Sequence, residues 1–141
     1  MSQDPSRTQL DIKRILLLDD DIELADTLKL LLESHNFVVT TVRNGVEGLR
    51  ELIAMDFDII MCDMRMPQMA GDMFFLAVQR TKPRLCDRFI FVTGYSDDPK
   101  VIEFLESVNR PLVLRKPVDN EELIRTISMV LKTTEESAVQ L

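Results

Sequence analysis

The residues best suited to chemistry are three consecutive aspartates, Asp19, Asp20 and Asp21, which follow four branched aliphatic residues in "ILLLDDD". Neighbouring carboxylates repel one another, and each loses solvation as it approaches an apolar element. A surface turn in water could carry them, and the ordinary interpretation of Asp21 is an N-cap that begins the first helix. The alternative is that a cation binds among them.

Other polar residues stand at the ends of later apolar runs. Asp63 ends "FDIIMCD", Thr93 ends "FIFVT" and Lys116 follows "LVLR". In an open sheet of parallel strands, ligands bind in the crevice at the carboxyl ends of the strands. One crevice could therefore gather these residues with the aspartates. Because Asp63 follows six mostly apolar residues, we favour a functional role for it over a position in a solvated loop.

Carboxylates from two strands, together with one lysine and one threonine, match the chemistry of a hard cation. Mg²⁺ takes one or two protein carboxylates, keeps several waters and recruits phosphate oxygens. The sequence therefore predicts a Mg²⁺ site whose coordination shell a phosphate would complete.

Five short apolar runs predict the strands that hold these residues. They lack strict alternation, as strands buried on both faces do, and they cover 15–18, 37–42, 57–62, 89–93 and 112–114. A helical period follows each run, so the chain is predicted to be α/β. We expect a (βα)5, doubly wound, flavodoxin-like fold with a five-stranded parallel sheet and helices on both faces.

Apolar residues at helical spacing predict which helix faces meet the sheet. The inward residues are expected to be Leu24, Leu28, Leu31 and Leu32; Val46, Leu49 and Ile53; Met73, Leu76 and Ala77; Val101, Phe104, Leu105 and Val108; and Leu123, Ile127, Val130 and Leu131. Start signals support the last two helices: Asp98 precedes Pro99, and Asp119 precedes Glu122 by three residues. One domain over residues 12–132 is predicted, with flexible segments at 1–11 and 133–141.

Composition excludes several classes of function. The chain has 141 residues, a formal net charge of -7 and 45% hydrophobic residues, which indicates one domain with a real core and argues against non-specific nucleic-acid binding. No apolar run approaches the roughly 18 residues of a membrane span, and the N-terminus lacks a signal-peptide core. A cytoplasmic protein with no direct nucleic-acid or membrane partner is predicted. One histidine, His35, excludes a histidine-based metal cluster, and Cys62 is interpreted as a small core residue.

The motifs "LLLDDD", "DMRMPQMAG", "FVTGYSD" and "RKPVDNEEL" stand in an order and at spacings that resemble the phosphoacceptor receiver domains of two-component signalling. The resemblance covers about residues 13–131. The stretch from residue 93 to 117 is closest in style to receivers attached to hybrid sensor histidine kinases.

The resemblance implies a phosphorylation site and a Mg²⁺ site. Asp63 would be phosphorylated by the phosphohistidine of a sensor histidine kinase or of a histidine phosphotransfer protein. Asp20 and Asp63 would bind Mg²⁺ directly, Asp19 would act through water, and the backbone carbonyl of Arg65 would be the remaining protein ligand. The domain would switch conformation and signal to a downstream protein that the sequence does not identify.

The resemblance also implies roles around the phosphoryl group. Lys116 would pair with it, the Thr93 hydroxyl would bond it in the active state, and the Lys116–Pro117 peptide bond would be cis. Gly94 would leave open space beside it. Arg65 and Tyr95, each two residues beyond a motif residue, would flank the path of attacking water and modulate the lifetime of the acyl phosphate.

Some positions depart from the common pattern of the family. Ala70 stands where an aspartate is frequent, and "NRP" replaces the usual Gly-Ala before the fifth strand. Val113 stands where many receivers carry an aromatic residue that turns inward on activation. Because Val113 is short, activation is expected to proceed without an aromatic flip and to be read by residues 94–98 and the helix near Pro99.

Other functions remain as alternatives. A pseudo-receiver that only binds proteins would normally lack Asp63, Lys116 or the acid pair, and all are present. An aspartyl-phosphate phosphatase of the haloacid-dehalogenase kind needs an acid two residues after its nucleophile, where Arg65 stands and cannot serve at neutral pH. An enzyme with turnover is therefore not expected. A transcription factor is disfavoured because few residues remain for a DNA-binding domain, although the chain could be a fragment.

Overall fold

The computed structural model describes residues 12–94 and 99–140, with side chains described as far as residue 134. Five strands form one parallel sheet in the order β2-β1-β3-β4-β5. They are β1 Arg14–Leu18, β2 Val38–Val42, β3 Ile59–Asp63, β4 Phe89–Thr93 and β5 Val113–Arg115. This strand order is that of flavodoxin-like doubly wound sheets, so the predicted α/β fold is confirmed.

The register of the sheet places the polar residues at one edge. Leu18 pairs with Val42 on one side and with Cys62 on the other. Asp63 pairs with Val92, and Thr93 pairs with Arg115. Because all strands run in the same direction, the residues at and just after their carboxyl ends come together.

Within the described ranges, five α-helices connect or follow the strands: α1 Ile22–Ser34, α2 Gly45–Ala54, α3 Gly71–Thr81, α4 Pro99–Ser107 and α5 Asn120–Gln140. The side chain of Asp21 accepts a hydrogen bond from the Leu24 N–H at 3.1 Å, and that of Asp119 accepts one from the Glu122 N–H at 2.9 Å. The N-caps predicted at Asp21 and Asp119 are therefore confirmed, whereas Asp98, predicted to cap α4, lies outside the described residues. The sequence did not predict the 3₁₀ helix Pro83–Arg88 that leads into β4.

The sheet separates two apolar clusters, because successive strand residues point to opposite faces. Helices α1 and α5 cover one face, where the buried helix residues are Ala25, Leu28, Leu32, Leu123, Ile127 and Val130. Helices α2, α3 and α4 cover the other, where Phe74, Phe75, Phe89 and Phe91 are buried and Phe104 packs against them. The periodicity predicted the inward faces of α1, α4 and α5.

The predicted inward faces of the other two helices are wrong in part. In α3, Met73 is 58% exposed and Leu76 is also exposed, while Phe74 and Phe75 point inward. Helix α3 is apolar on nearly every side, so its period does not select a face, and the phenylalanines bury the larger area. In α2, Leu49 packs against the core as predicted, but Ile53 is 81% exposed and Val46 is also exposed. Its buried residues are Gly45, Gly48 and Leu52.

Helix α5 continues to Gln140, past residue 132, where the predicted domain ends, and residues 133–140 contain no glycine or proline to stop it. That the segments 1–11 and 133–141 are flexible stays a prediction. The predicted N-terminal segment 1–11 lies outside the described residues. Among the helices described, none is long and apolar enough to cross a membrane.

Candidate functional site

Asp63 and Lys116 form an ion pair at the carboxyl edge of the sheet. Asp63 is the last residue of β3 and is 3% exposed, and Lys116 directly follows β5. The Lys116 Nζ donates a hydrogen bond to Asp63 Oδ2 at 2.7 Å, and the Lys116 N–H donates to the Thr93 carbonyl at 2.8 Å. The Lys116–Pro117 peptide bond is cis, as the resemblance implied.

Asp19 is the second buried acid of the site. Its N–H donates to the Val42 carbonyl at 3.0 Å, and its Oδ1 accepts the N–H of Asp21 at 2.9 Å. Its Oδ2 lies 3.6 Å from the Lys116 Nζ. Asp21 is the N-cap of helix α1. This position turns the N–H of Asp21 toward the carboxylate of Asp19.

Asp20 completes a group of three acids that could hold a cation. Asp20 is exposed, whereas Asp19 and Asp63 are buried, and one oxygen from each lies within 4.8 Å of the others. Carboxylate oxygens are the ligands that Mg²⁺ prefers, and an exposed member leaves room for the waters that Mg²⁺ keeps. The donor set therefore fits Mg²⁺. Asp21 is engaged as the cap of α1 instead.

The electrostatics of the site also favour a cation. Burial, reinforced by the neighbouring Asp63 charge, raises the pKa of Asp19 to about 6, although the Asp21 amide and Lys116 act in the opposite direction. Burial acts to lower the pKa of Lys116, but the hydrogen bond and charge of Asp63, with the charge of Asp19, outweigh it and leave that pKa raised. Lys116 is therefore charged at neutral pH, and three carboxylates face one ammonium.

Arg65 lies at the start of the loop between β3 and α3. Its N–H donates to Asp63 Oδ1 at 2.9 Å, and its side chain is exposed. The Met64 N–H donates to the Val92 carbonyl at 2.9 Å, which fixes the first turn of the loop on β4. That the Arg65 carbonyl binds a metal stays a prediction.

Thr93 and its neighbours border the site on the β4 side. Thr93 ends β4 and is buried. A Cβ built on Gly94 would have the Lys116 Cδ as its nearest neighbour, at 3.8 Å, so there is room beside the lysine; that this space lies beside a phosphoryl group stays a prediction. Thr93 and Val113 both line a cavity of about 450 Å³ between α4 and β5. Tyr95 lies outside the described residues.

Two glycines in close contact with the loop after Asp63 were not singled out in the sequence, Gly45 and Gly71. A Cβ on Gly71 would lie 2.8 Å from the Asp63 carbonyl oxygen, and a Cβ on Gly45 would lie 2.6 Å from the Met69 Cγ. The available signal was a glycine at the first position of each helical period.

Comparison with known proteins agrees with the fold. Residues 15–128 match the family model of the response regulator receiver domain, and the chain belongs to that family. The transcriptional regulatory protein GlrR of Escherichia coli (strain K12) is 32% identical over 118 residues, which are 84% of this chain and 26% of that protein. The cell cycle transcriptional regulator CtrA of Caulobacter vibrioides is 31% identical over 84% of this chain and 50% of its own length.

Solved structures show the same fold. The CheY-like receiver domain protein of Methanospirillum hungatei has a TM-score of 0.80 at 26% identity, covering 90% of this chain and 99% of that one. The receiver domain of a signal transduction histidine kinase from Syntrophus aciditrophicus has a TM-score of 0.77 at 27% identity, covering 86% of this chain and 91% of that one. Because both transcriptional regulators and a histidine kinase occur among these relatives, the closeness to hybrid-kinase receivers stays a prediction.

Proposed function

We propose that this receiver domain accepts a phosphoryl group on Asp63 from a phosphohistidine of a sensor histidine kinase or a histidine phosphotransfer protein. The observation that carries the proposal is the 2.7 Å bond from Lys116 Nζ to a buried Asp63 oxygen, beside two further carboxylates. The modified domain then changes conformation and is read by a downstream protein. Its partners are proteins rather than nucleic acid or membrane, and we expect the reaction to occur in the cytoplasm.

The phosphoryl transfer requires little covalent chemistry from the protein. A carboxylate oxygen of Asp63 bonds to the phosphorus, the phosphorus–nitrogen bond of the donor breaks, and its electron pair stays on the imidazole nitrogen. Lys116, already within reach of Asp63, neutralises charge on the transferring group, and Thr93 offers its hydroxyl at the end of the adjacent strand. Positioning and electrostatic stabilisation supply most of the catalysis in such transfers.

Mg²⁺ is the cofactor that the acids support. Asp20 and Asp63 would bind it through their carboxylates, Arg65 through its carbonyl, and Asp19 through water. When bound, the ion would neutralise negative charge on the phosphoryl group. The raised pKa of Asp19 supports this assignment, because it reflects burial and repulsion that a cation would relieve.

The two alternative functions are less well supported. A pseudo-receiver that acts only as an interaction module has no need of the ion pair between the buried Asp63 and the partly exposed Lys116. A phosphatase with true turnover needs an acid two residues after Asp63, and Arg65 stands there with its side chain exposed. We therefore propose a signalling phosphoacceptor that catalyses only its own phosphorylation and dephosphorylation.

Intact mass after incubation with Mg²⁺ and a small acyl phosphate or phosphoramidate tests the proposal. Asp63→Asn is nearly isosteric but cannot form an acyl phosphate, so its mass should stay unchanged while the fold survives. Asp26→Asn, an exposed position on α1, is the matched control and should gain one phosphoryl group, and a chelator should abolish the gain. An undiminished gain in Asp63→Asn would reject the assignment, and steady turnover of phosphoesters would favour the phosphatase.

A further inference from the structure

The first turn of α2 is hydrogen-bonded to the loop that follows Asp63. The N–H of Gly45, the first residue of α2, donates to the Met69 carbonyl at 3.1 Å. The first N–H groups of a helix have no partner inside the helix and carry partial positive charge. The carbonyl of Met69 therefore satisfies a free donor and is held at a defined position in the loop between β3 and α3.

Close approach at this contact requires glycine. A Cβ on Gly45 would lie 2.6 Å from the Met69 Cγ, 2.8 Å from its Cβ and 2.9 Å from its carbonyl oxygen. Separations below about 3 Å force atoms to move, and two of these three atoms are fixed to or part of the backbone. Any side chain at position 45 would therefore displace the loop, and not merely rotate a flexible side chain.

The same loop is also fixed at its far end. The Gly71 N–H donates to the Met64 carbonyl at 3.4 Å. A Cβ on Gly71 would lie 2.8 Å from the Asp63 carbonyl oxygen. The loop is thus attached near both of its ends, and Arg65, whose amide bonds Asp63, lies between the attachments.

The turn that holds Met69 is itself rigid. The buried Asn44 side chain accepts the Glu47 N–H at 2.9 Å, and Glu47 Oε1 accepts the N–H of Arg43, the residue before the cap, at 3.0 Å, so Glu47 takes part in both bonds at the start of α2. One residue earlier, the Val42 carbonyl accepts the N–H of Asp19 at 3.0 Å. The same short segment therefore touches both the backbone of Asp19 and the loop after Asp63.

We propose that Gly45 is a positioning residue for the phosphoacceptor site: by allowing α2 to seat the Met69 carbonyl, it fixes the loop that presents the Arg65 carbonyl to the metal. This inference rests on the proposed function. Gly45 touches neither metal nor phosphoryl group, and it acts through the backbone of the loop. A displacement of the loop should therefore lower the Mg²⁺ affinity more than it lowers the free energy of unfolding.

The test compares Gly45→Ala with Gly48→Ala. Gly48 lies one turn later in α2, and a Cβ there would lie 2.7 Å from Leu18 Cδ2 and 2.8 Å from the Phe74 ring, so that variant crowds core side chains and leaves the loop in place. We would measure the Mg²⁺ dissociation constant by calorimetry, the Mg²⁺ dependence of phosphorylation by a small phosphodonor, and the free energy of unfolding in urea.

Gly45→Ala should raise the Mg²⁺ dissociation constant about tenfold, since displacements of about an ångström at a site have effects of this size or larger. Its phosphorylation rate should recover in part at saturating Mg²⁺. Gly48→Ala should lose stability and keep the Mg²⁺ affinity of the unmodified protein. Equal Mg²⁺ affinities in the two variants would overturn the inference, whereas absence of phosphorylation in the unmodified protein would overturn the proposed function itself.

A second variant covers the case in which Gly45→Ala does not fold. Met69→Gly keeps Gly45 but removes the side chain packed on it, and it gives the loop more backbone freedom. The Mg²⁺ dissociation constant should rise in this variant also. A value equal to that of the unmodified protein would show that the contact does not position the site.

Discussion

Asp19 and Asp63 follow or end neighbouring strands, and both carboxylates reach the ammonium of Lys116, at 3.6 and 2.7 Å. One positive charge cannot balance two buried acids and the exposed Asp20 beside them. The domain without metal therefore contains a repulsion that a cation would remove. Several of the expected behaviours below follow from this imbalance.

The stability of the metal-free domain should depend on pH through Asp19. Its folded-state pKa is raised from 3.8 to about 6, so the fold favours the protonated carboxyl. The contribution of Asp19 to the free energy of unfolding is then largest near and below pH 4 and is lost as the pH rises toward 6. At about 1.4 kcal/mol per pKa unit, the loss above pH 6 is about 2–3 kcal/mol as an upper value.

Asp19→Asn should remove this dependence. Urea unfolding with a chelator present, followed by circular dichroism, should show that the variant gains stability over the unmodified protein at pH 7 and loses that advantage at pH 4. Asp26→Asn on the surface of α1 is the control and should follow the unmodified protein. Parallel pH profiles for Asp19→Asn and the unmodified protein would contradict the prediction.

Asp20 should dominate Mg²⁺ affinity over Asp21. Asp20→Asn removes a carboxylate from the three-acid group. We expect the Mg²⁺ dissociation constant to rise about tenfold or more, because mutation of a residue that only hydrogen-bonds a metal ligand already costs about that much affinity. Asp21→Asn should have little effect, because asparagine caps a helix as well as aspartate does. Calorimetric titration measures both, and equal losses would mean that the metal site is misplaced. Asp20→Asn should also stabilise the metal-free fold by relieving repulsion.

Activation should be confined to the β4 side of the domain. Thr93 and Val113 line the cavity beneath α4, and Val113 is too short to fill the space of an inward aromatic ring. Hydrogen exchange with and without a phosphoryl mimic should therefore change in Pro99–Ser107 and in the residues just before it. Thr93→Ala should abolish this change while Mg²⁺ still binds. A change limited to α1 would refute this route.

The lifetime of the acyl phosphate should depend on Arg65 and Tyr95. The guanidinium of Arg65 is always charged, and its planar fork can bond phosphoryl oxygens. Tyr95 is bulky enough to cover the open side beside Gly94. Dephosphorylation of Arg65→Ala and of Tyr95→Ala should be several-fold faster than that of the unmodified protein, because water gains access. Arg65→Lys keeps the positive charge but removes the planar guanidinium, so it separates the two effects. Unchanged dephosphorylation rates in both alanine variants would show that these side chains do not shield the acyl phosphate.

The sequence predicted the residues at strand ends far better than the residues that support them. Asp63 and Lys116 were recognisable because a charged group at the end of an apolar run is costly without a function. Gly45 and Gly48 were not recognisable, because the helical period is defined by apolar side chains and glycine has no side chain. Ile53 was therefore placed inward and lies 81% exposed. In α3 the opposite problem arose. Apolar residues lie on nearly all sides of this helix, so the apolar period does not identify which face is buried.

The distribution of aromatic rings gives the two faces of the sheet different spectroscopic properties. The rings of Phe74, Phe75, Phe89, Phe91 and Phe104 contact one another at centroid distances of 4.9–5.8 Å, and all pack on the face covered by α2, α3 and α4. Magnetic shielding by aromatic rings falls steeply with distance, so methyl protons in that layer should resonate far upfield. Phe104 belongs to α4, and upfield methyl signals would therefore report displacement of that helix without any introduced probe.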